Sequence, residues 1–272
     1  MIEDIKRFLA EDIGSGDITV ELFVPDKTGT ASIICEEEAT LAGLEEAREV
    51  FEVLGAQCQL INRDGDRVVK GTTVMSVYGP LKAIVTGERT ALNLLMRMTG
   101  IATATANATR LIRLTDPDLM VAATRKTTPG FRYYEKKAVT LGGGWSHRMG
   151  LYDMVMIKDN HIAACGGIEN AMEKAKNVKE GIKIDVEVTT LEQGITAARY
   201  KPDIIMGDHM DPEHIRELRD AVKKISPDTK IEASGNITPD GARFYAGCAD
   251  IVSIGALTHS VKAVHFSLDI DE

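Results

Sequence analysis

Between residues 121 and 150 the chain carries Arg125, Lys126, Arg132, Lys136, Lys137 and Arg148 against one acid, Glu135. The whole chain has a formal net charge of −9, so this segment gathers positive charge against the trend, which suggests a bound anion. Gly142, Gly143 and Gly144 follow and allow a close backbone approach or a turn with positive φ. A solvated basic helix and a flexible loop would have the same composition. The order of the chain separates the two readings.

After Pro117 six short apolar runs alternate with helical segments: 119–123, 154–157, 182–188, 203–206, 230–233 and 250–254. Helical spacing falls at 131–141, 167–178, 191–199, 211–224 and 239–246. Asp211-Pro212 and Thr238-Pro239 each place a capping residue before proline at a helix start. This alternation predicts a parallel sheet, as a doubly wound sheet or as a (β/α) barrel short of strands. Every run ends in polar residues. Thr124, Arg125 and Lys126 follow the first, and Lys158 follows the second. Asp185 and Glu187 lie in the third, and the fourth runs into Asp208 and His209. Ser234-Gly235-Asn236 ends the fifth, and Ile254-Gly255-Ala256 the sixth. A parallel barrel brings all strand C-termini to one face, where active sites form.

The chemistry of that face is lopsided. Arg125, Lys126, Arg148, Lys158 and His147 stand against Glu187 and Asp208. Arginine recognises carboxylate and phosphate with two parallel hydrogen bonds, and lysine supplies a point charge. Several cations imply a ligand with several negative charges. Two carboxylates beside such a ligand call for a bridging divalent cation, and Mg²⁺ held by carboxylates and substrate phosphate is the usual solution. The glycine turns after the last two runs suit a phosphate group. The chain has no nucleophile elbow, GxGxxG, P-loop or HExxH motif. Lys158 at a strand end leaves a Schiff-base lyase or aldolase as an alternative.

The remaining elements must position these groups. A chain of 272 residues with 44% apolar and 27% charged side chains can bury a sizeable core, as one large domain or two smaller ones. Its acidity argues against nucleic-acid and anionic-membrane binding. Cys35, Cys58, Cys165 and Cys248 are scattered and read as reduced thiols. A charged N-terminus and the lack of an apolar run near 18 residues imply a cytoplasmic protein. Residues 2–10 and 43–54 read as helices, 30–35, 56–61 and 67–78 as strands, and 11–21 as loop. Residues 84–114 read as two helices interrupted at Gly100, with Arg89 and Glu88 on the first. A boundary falls near residue 100.

TRKTTPG at 124–130, GGGWSHRMGLYDMVMIKDNH at 142–161, VEV at 186–188, the Asp208 and Ser234-Gly235 turns and IGALTHS at 254–260 together resemble the quinolinate phosphoribosyltransferases. EDIGSGDIT and GERTALNLLMRMTGIAT extend the resemblance nearly end to end. It implies an α/β fold: an N-terminal α/β sandwich over 1–103, an incomplete TIM-like (β/α) barrel with fewer than eight strands over 104–261, and residues 262–272 packed back on the first domain. It also implies phosphoribosyl transfer from phosphoribosyl pyrophosphate to quinolinate, with decarboxylation to nicotinate mononucleotide, pyrophosphate and CO₂ in NAD biosynthesis. Arg125, His147, Arg148 and Lys158 would line the quinolinate pocket with Thr124 and Lys126 near it. Lys126, Lys158, Glu187 and Asp208 would be catalytic. Glu187 and Asp208 would hold the ribose side and Mg²⁺, partly through the pyrophosphate. Ser234, Gly235, Asn236, Ile254, Gly255 and Ala256 would cradle the 5′-phosphate. The family implies homodimers or assemblies of dimers, with Arg89 contributed by a partner subunit. Trp145, His209, Asn236 and His265 depart from the family's pattern. Trp145 is expected to reshape the loop that closes the acid pocket, which raises a paralogue acting on another aromatic carboxylate as an alternative.

Overall fold

The chain opens with α1 (Ile2–Ile13), whose Ile5 and Leu9 are buried four residues apart on one face. A computed structural model describes residues 1–271. They divide into two compact units: Met1–Ala104 with the segment from Val261 onward, and Thr105–Ser260. In the first unit α2 (Ile18–Phe23) lies where glycines and aspartates suggest only loop. Asp17 starts it, accepting the Val20 N–H at 2.9 Å. Then come β1 (Thr28–Cys35), β2 (Ala39–Thr40), α3 (Leu44–Val53), β3 (Gln57–Leu60), β4 (Arg67–Val68) and β5 (Thr72–Pro80). β1 buries Ala31, Ile33 and Cys35 at every second position, the period of a sheet with one face in the core. The sheet order is Phe266–Ile270, β1, β5, β3, antiparallel throughout. β2 pairs with β4, and α3 packs on β3 and α1.

The helix α4 runs unbroken from Leu81 to Arg113, not as the two helices expected from Gly100. A β-carbon at Gly100 would lie 2.3 Å from the carbonyl oxygen of Lys262. The Val264 N–H donates to the Met96 carbonyl at 3.1 Å. Gly100 therefore admits another stretch of backbone against the helix, and packing outweighs its low helix propensity of about 1 kcal/mol.

The second unit contains β6 (Met120–Ala122), α5 (Arg132–Leu141), β7 (Val155–Ile157), α6 (Asp159–Cys165), α7 (Ile168–Ala175), β8 (Ile184–Val188), α8 (Leu191–Ala198), β9 (Ile204–Asp208), α9 (Pro212–Ile225), β10 (Lys230–Ser234), β11 (Ile251–Ser253) and α10 (Ala256–His259). The stretch expected as a helix at 239–246 is a 3₁₀ turn over Gly241–Tyr245, and α6 was not foreseen. The six parallel strands run β7, β8, β9, β10, β11, β6. The order advances one way without reversal and sets the first strand beside the last. That winding is a barrel's, and a doubly wound sheet would reverse at a switch point. On its other side β6 receives Trp145, whose N–H donates to Val121 O at 2.7 Å and whose carbonyl accepts from Ala123 N at 2.9 Å. Trp145 thus extends the barrel wall by one bridge beyond β6.

Candidate active site

A cavity of about 580 Å³ opens at the C-terminal ends of these strands. Thr124, Arg125 and Lys126 after β6, Lys158 after β7, Glu187 in β8 and Asp208 at the end of β9 line it. So do Ser234, Gly235 and Asn236 at the end of β10, Gly255 and Ala256 after β11, and His147 and Arg148 from the loop before β7. Two expected residues are elsewhere. Ile254 is fully buried, and its N–H donates to Ala122 O at 2.9 Å in closing β11 onto β6; it cannot also serve a phosphate. Arg89 lies in the first unit, its side chain 60% exposed, 3.9 Å from the Glu88 carboxylate.

The basic helix α5 is not simply solvated. Its Glu135 and Lys136 are buried. Glu135 accepts from the Thr128 N–H at 3.1 Å and the Thr128 hydroxyl at 3.0 Å. Arg132 donates to Thr127 Oγ1 at 3.0 Å and to Met149 O at 3.1 Å. Lys136 donates to the carbonyls of Ser146 and, at 2.7 Å, Arg148. The helix therefore ties down both loops that carry cavity cations. Sequence reasoning counted Lys136 as charge but missed this role; burial of a lysine cannot be read from composition. Burial, with Arg132, Arg148 and Arg125 nearby, brings the Lys136 ammonium down to about 8. Lys136→Met should lower the free energy of unfolding by about 1–3 kcal/mol, because two buried carbonyls lose their donor. The folded lysine releases its proton below the unfolded value of about 10.5, so its contribution grows as pH rises from about 8 to 10.5. Urea titrations of both proteins should show the variant's deficit widening over that window.

Arg148 is 8% exposed; burial, then Arg125, pulls its guanidinium below the usual range. Arg125 Nε is buried without a hydrogen bond among the described residues, which leaves a donor for a ligand. Lys158 and Glu187 form a close ion pair across the cavity. Glu187 and Asp208 stem from neighbouring strands, Glu187 lying opposite Met206 in the β8–β9 register. Gly235 is required at its turn: it has φ +100°, and a β-carbon would meet the His209 backbone nitrogen at 2.6 Å. That close approach locks the Ser234–Asn236 turn to the Asp208–His209 turn, with the His209 N–H on Ser234 O at 2.9 Å.

The floor of the cavity, where it reaches into the barrel interior, is polar. His147, in a left-handed conformation with φ +53°, has both ring nitrogens engaged. Nδ1 accepts from the Arg148 N–H at 2.8 Å. This assigns the proton to Nε2, which faces Glu232 Oε2 at 3.0 Å. Glu232 Oε1 accepts from Ser253 Oγ at 2.6 Å. Asp185 Oδ2 lies 3.7 Å from the same imidazole nitrogen, and neither Asp185 oxygen has a hydrogen-bond partner among the described residues. His147, Asp185 and Glu232 place their ligand atoms within 4.8 Å of one another. The imidazole lone pair, however, points at a backbone N–H, so the group is a hydrogen-bond chain and not a cation site. His147 lines the cavity, and both its ring nitrogens are engaged within the protein. The alternation of β8 that presents Glu187 also buries Asp185 one layer down, and this pairing was legible. Glu232, hidden in an apolar run, was not.

Burial, then Glu232, raises the Asp185 carboxyl well above the carboxylate range. Its contribution to stability is complete below the unfolded value of about 4 and is lost as pH rises through the raised folded value. Asp185→Asn, which needs no ionisation, should raise Tm at neutral pH by roughly 2–4 °C per kcal/mol of relief. Melts at acid pH should show the gain vanish.

The Trp145 side chain does not line the cavity. Its indole packs on Met120, Ala122, Ile204 and Ile251, toward the amino ends of the strands. It meets the site through a ring contact, centroid to centroid 4.4 Å, with His147, and through its backbone bridge to Ala123, which lines the cavity. It was expected to reshape the loop that closes the acid pocket; its indole packs on the barrel wall, outside the cavity lining.

A one-way parallel barrel with cations and two carboxylates converging at its C-terminal face is an enzyme fold equipped for polyanionic substrates. The family models for the quinolinate phosphoribosyl transferase N-terminal and C-terminal domains match residues 17–99 and 101–269. The chain belongs to the quinolinate phosphoribosyl transferase family. It is 41% identical over 271 residues to a probable carboxylating nicotinate-nucleotide pyrophosphorylase of Bacillus subtilis, covering 98% of this chain and 92% of that one. The human carboxylating nicotinate-nucleotide pyrophosphorylase is 36% identical over 242 residues, covering 88% and 82%. The structure of the nicotinate-nucleotide pyrophosphorylase of Francisella tularensis superposes with a TM-score of 0.93 at 36% identity, covering 99% and 95%.

Proposed function

We propose that this chain transfers the phosphoribosyl group of phosphoribosyl pyrophosphate to the ring nitrogen of quinolinate. Loss of one carboxylate then gives nicotinate mononucleotide, pyrophosphate and CO₂, a step of NAD biosynthesis. The observation that carries the reading is the convergence of Arg125, Lys126, Arg148 and Lys158 with Glu187 and Asp208 on one cavity. Arg125, Arg148 and Lys158 suit the two acid groups of quinolinate. The Ser234–Asn236 and Gly255–Ala256 turns suit the 5′-phosphate. Glu187 and Asp208 are oxygen ligands on adjacent strands, the donor type Mg²⁺ takes, and would hold it beside the pyrophosphate. Bound there, the ion would supply positive charge to the pyrophosphate side of the site. The chain's own part is to hold the ring nitrogen in line with C1 of the ribose and to stabilise charge, with no protein nucleophile. Lys158 is in an ion pair and 41% exposed, not desolvated as a Schiff-base lysine must be.

Pyrophosphate and CO₂ release are measured from phosphoribosyl pyrophosphate with Mg²⁺ and either quinolinate or nicotinate. Turnover with quinolinate alone is expected. Turnover with nicotinate alone would move the substrate, and no turnover with either would end the reading.

A homodimer, with Arg89 entering the partner's site, is part of this proposal. Ile18, Leu22 and Phe23 on α2 are 79%, 73% and 78% exposed, an apolar edge that a second subunit would cover. Sedimentation should give a dimer, and Phe23→Asp with Leu22→Asp should shift it toward monomer. Among the described residues no helix is long and apolar enough to cross a membrane. All four cysteines are free thiols, which supports a reducing, cytoplasmic location.

A further inference from the structure

A second cavity, of about 450 Å³, lies at the opposite, amino end of the barrel strands. Its apolar wall is Trp145 with Met120, Ile204 and Ile251. Lys183 just before β8, Lys201 before β9 and Lys230 at the start of β10 also line it. None of these three ammonium groups has an ion-pair or hydrogen-bond partner among the described residues. Two acids lie among the lining residues, Asp203 and Asp228, and Asp203 Oδ2 already accepts the Ile184 N–H at 2.8 Å. The amino end of a barrel ordinarily serves stability. Here it has instead a cavity within the size range of ligand pockets, one aromatic wall and three unpaired cations, in a chain of net charge −9.

We infer that this cavity is a second binding site, for a planar aromatic molecule carrying anionic groups. The indole supplies a face for stacking. The lysines supply charge without an internal ion pair to break. The site is also coupled to the catalytic cavity. Trp145 stacks on His147, and His147 Nδ1 holds the backbone N–H of Arg148. A ligand on Trp145 bears on that stack and so on Arg148. By reciprocity, filling either cavity changes affinity at the other by the same factor.

Trp145 is the only tryptophan in the chain, so intrinsic fluorescence reports on this cavity. The full-length protein is titrated with terephthalate, a planar dicarboxylate, and with succinate, which has the same charge and no ring. Terephthalate should give a saturable change and succinate none. Lys201→Glu combined with Lys230→Glu should raise the apparent Kd about ten-fold or more, equivalent to about 1.4 kcal/mol. Arg148→Ala should leave it within about two-fold. No saturable change, an equal response to succinate, or an unchanged Kd in the double variant would each overturn the inference. Loss of the signal in Arg148→Ala would place the ligand in the catalytic cavity and overturn it as well. Both substituted lysines are exposed, so the double variant should keep its far-UV circular dichroism. If it does not, Lys183→Glu alone serves the same comparison.

Discussion

Arg148→Ala should lower kcat/KM for quinolinate about a hundred-fold while leaving the KM for phosphoribosyl pyrophosphate within a few-fold. Arg148 is buried, and its loop is held at three points: Lys136 on the carbonyls of Ser146 and Arg148, and His147 Nδ1 on the Arg148 N–H. A guanidinium fixed in this way needs little reorganisation to meet a carboxylate. Removing it leaves a substrate carboxylate buried without its partner, a loss of about 3 kcal/mol or roughly a hundred-fold. Arg148→Lys should recover only part of the loss, since a single ammonium cannot make two parallel hydrogen bonds. Steady-state kinetics with each substrate varied in turn reads both constants. Equal losses for the two substrates would remove Arg148 from the acid pocket.

The larger effect is expected from the carboxylate side. Chelation of divalent cations should abolish pyrophosphate release, and Asp208→Asn should raise the Mg²⁺ needed for half-maximal rate by roughly ten- to a hundred-fold. Asn keeps the shape and one oxygen but removes the charge that offsets the divalent ion. The KM for quinolinate should move little in that variant. The two substitutions therefore separate the cavity into an acid half and a pyrophosphate half. If Asp208→Asn left the Mg²⁺ requirement unchanged, Asp208 would not be a ligand.

Periodicity made the six barrel strands legible, since each is a short apolar run ending in polar residues, and β7–β11 with β6 fall where those runs predict. It failed where a tertiary contact overrides a local signal. Gly100 looks like a helix break and is a contact with the Lys262 backbone. The α2 segment looks like loop because its cap, Asp17, is indistinguishable in sequence from a turn residue. At the site, the cations and paired carboxylates could be named because strand ends converge. The groups that hold them, Lys136, Glu232 and Ser253, could not, because their partners lie up to 85 residues away. Trp145 could be placed in the loop, but not on the wall its indole packs against. The direction of one side chain beside a strand is set by the wall it completes.

The strand Phe266–Ile270 has a consequence for biosynthesis. It is the outer neighbour of β1, pairing Ala31 with Ile270 and Cys35 with Phe266. The contact closes a loop spanning nearly the whole chain. A ribosome therefore releases β1 early, while its edge partner emerges only after all of Thr105–Ser260 has been made. During that interval the hydrogen-bonding edge of β1 is open to other nascent chains, the template from which edge-to-edge aggregation starts. Such long-range closure also slows folding. Expression that yields soluble full-length protein but aggregates when the last few residues are missing is what this arrangement dictates.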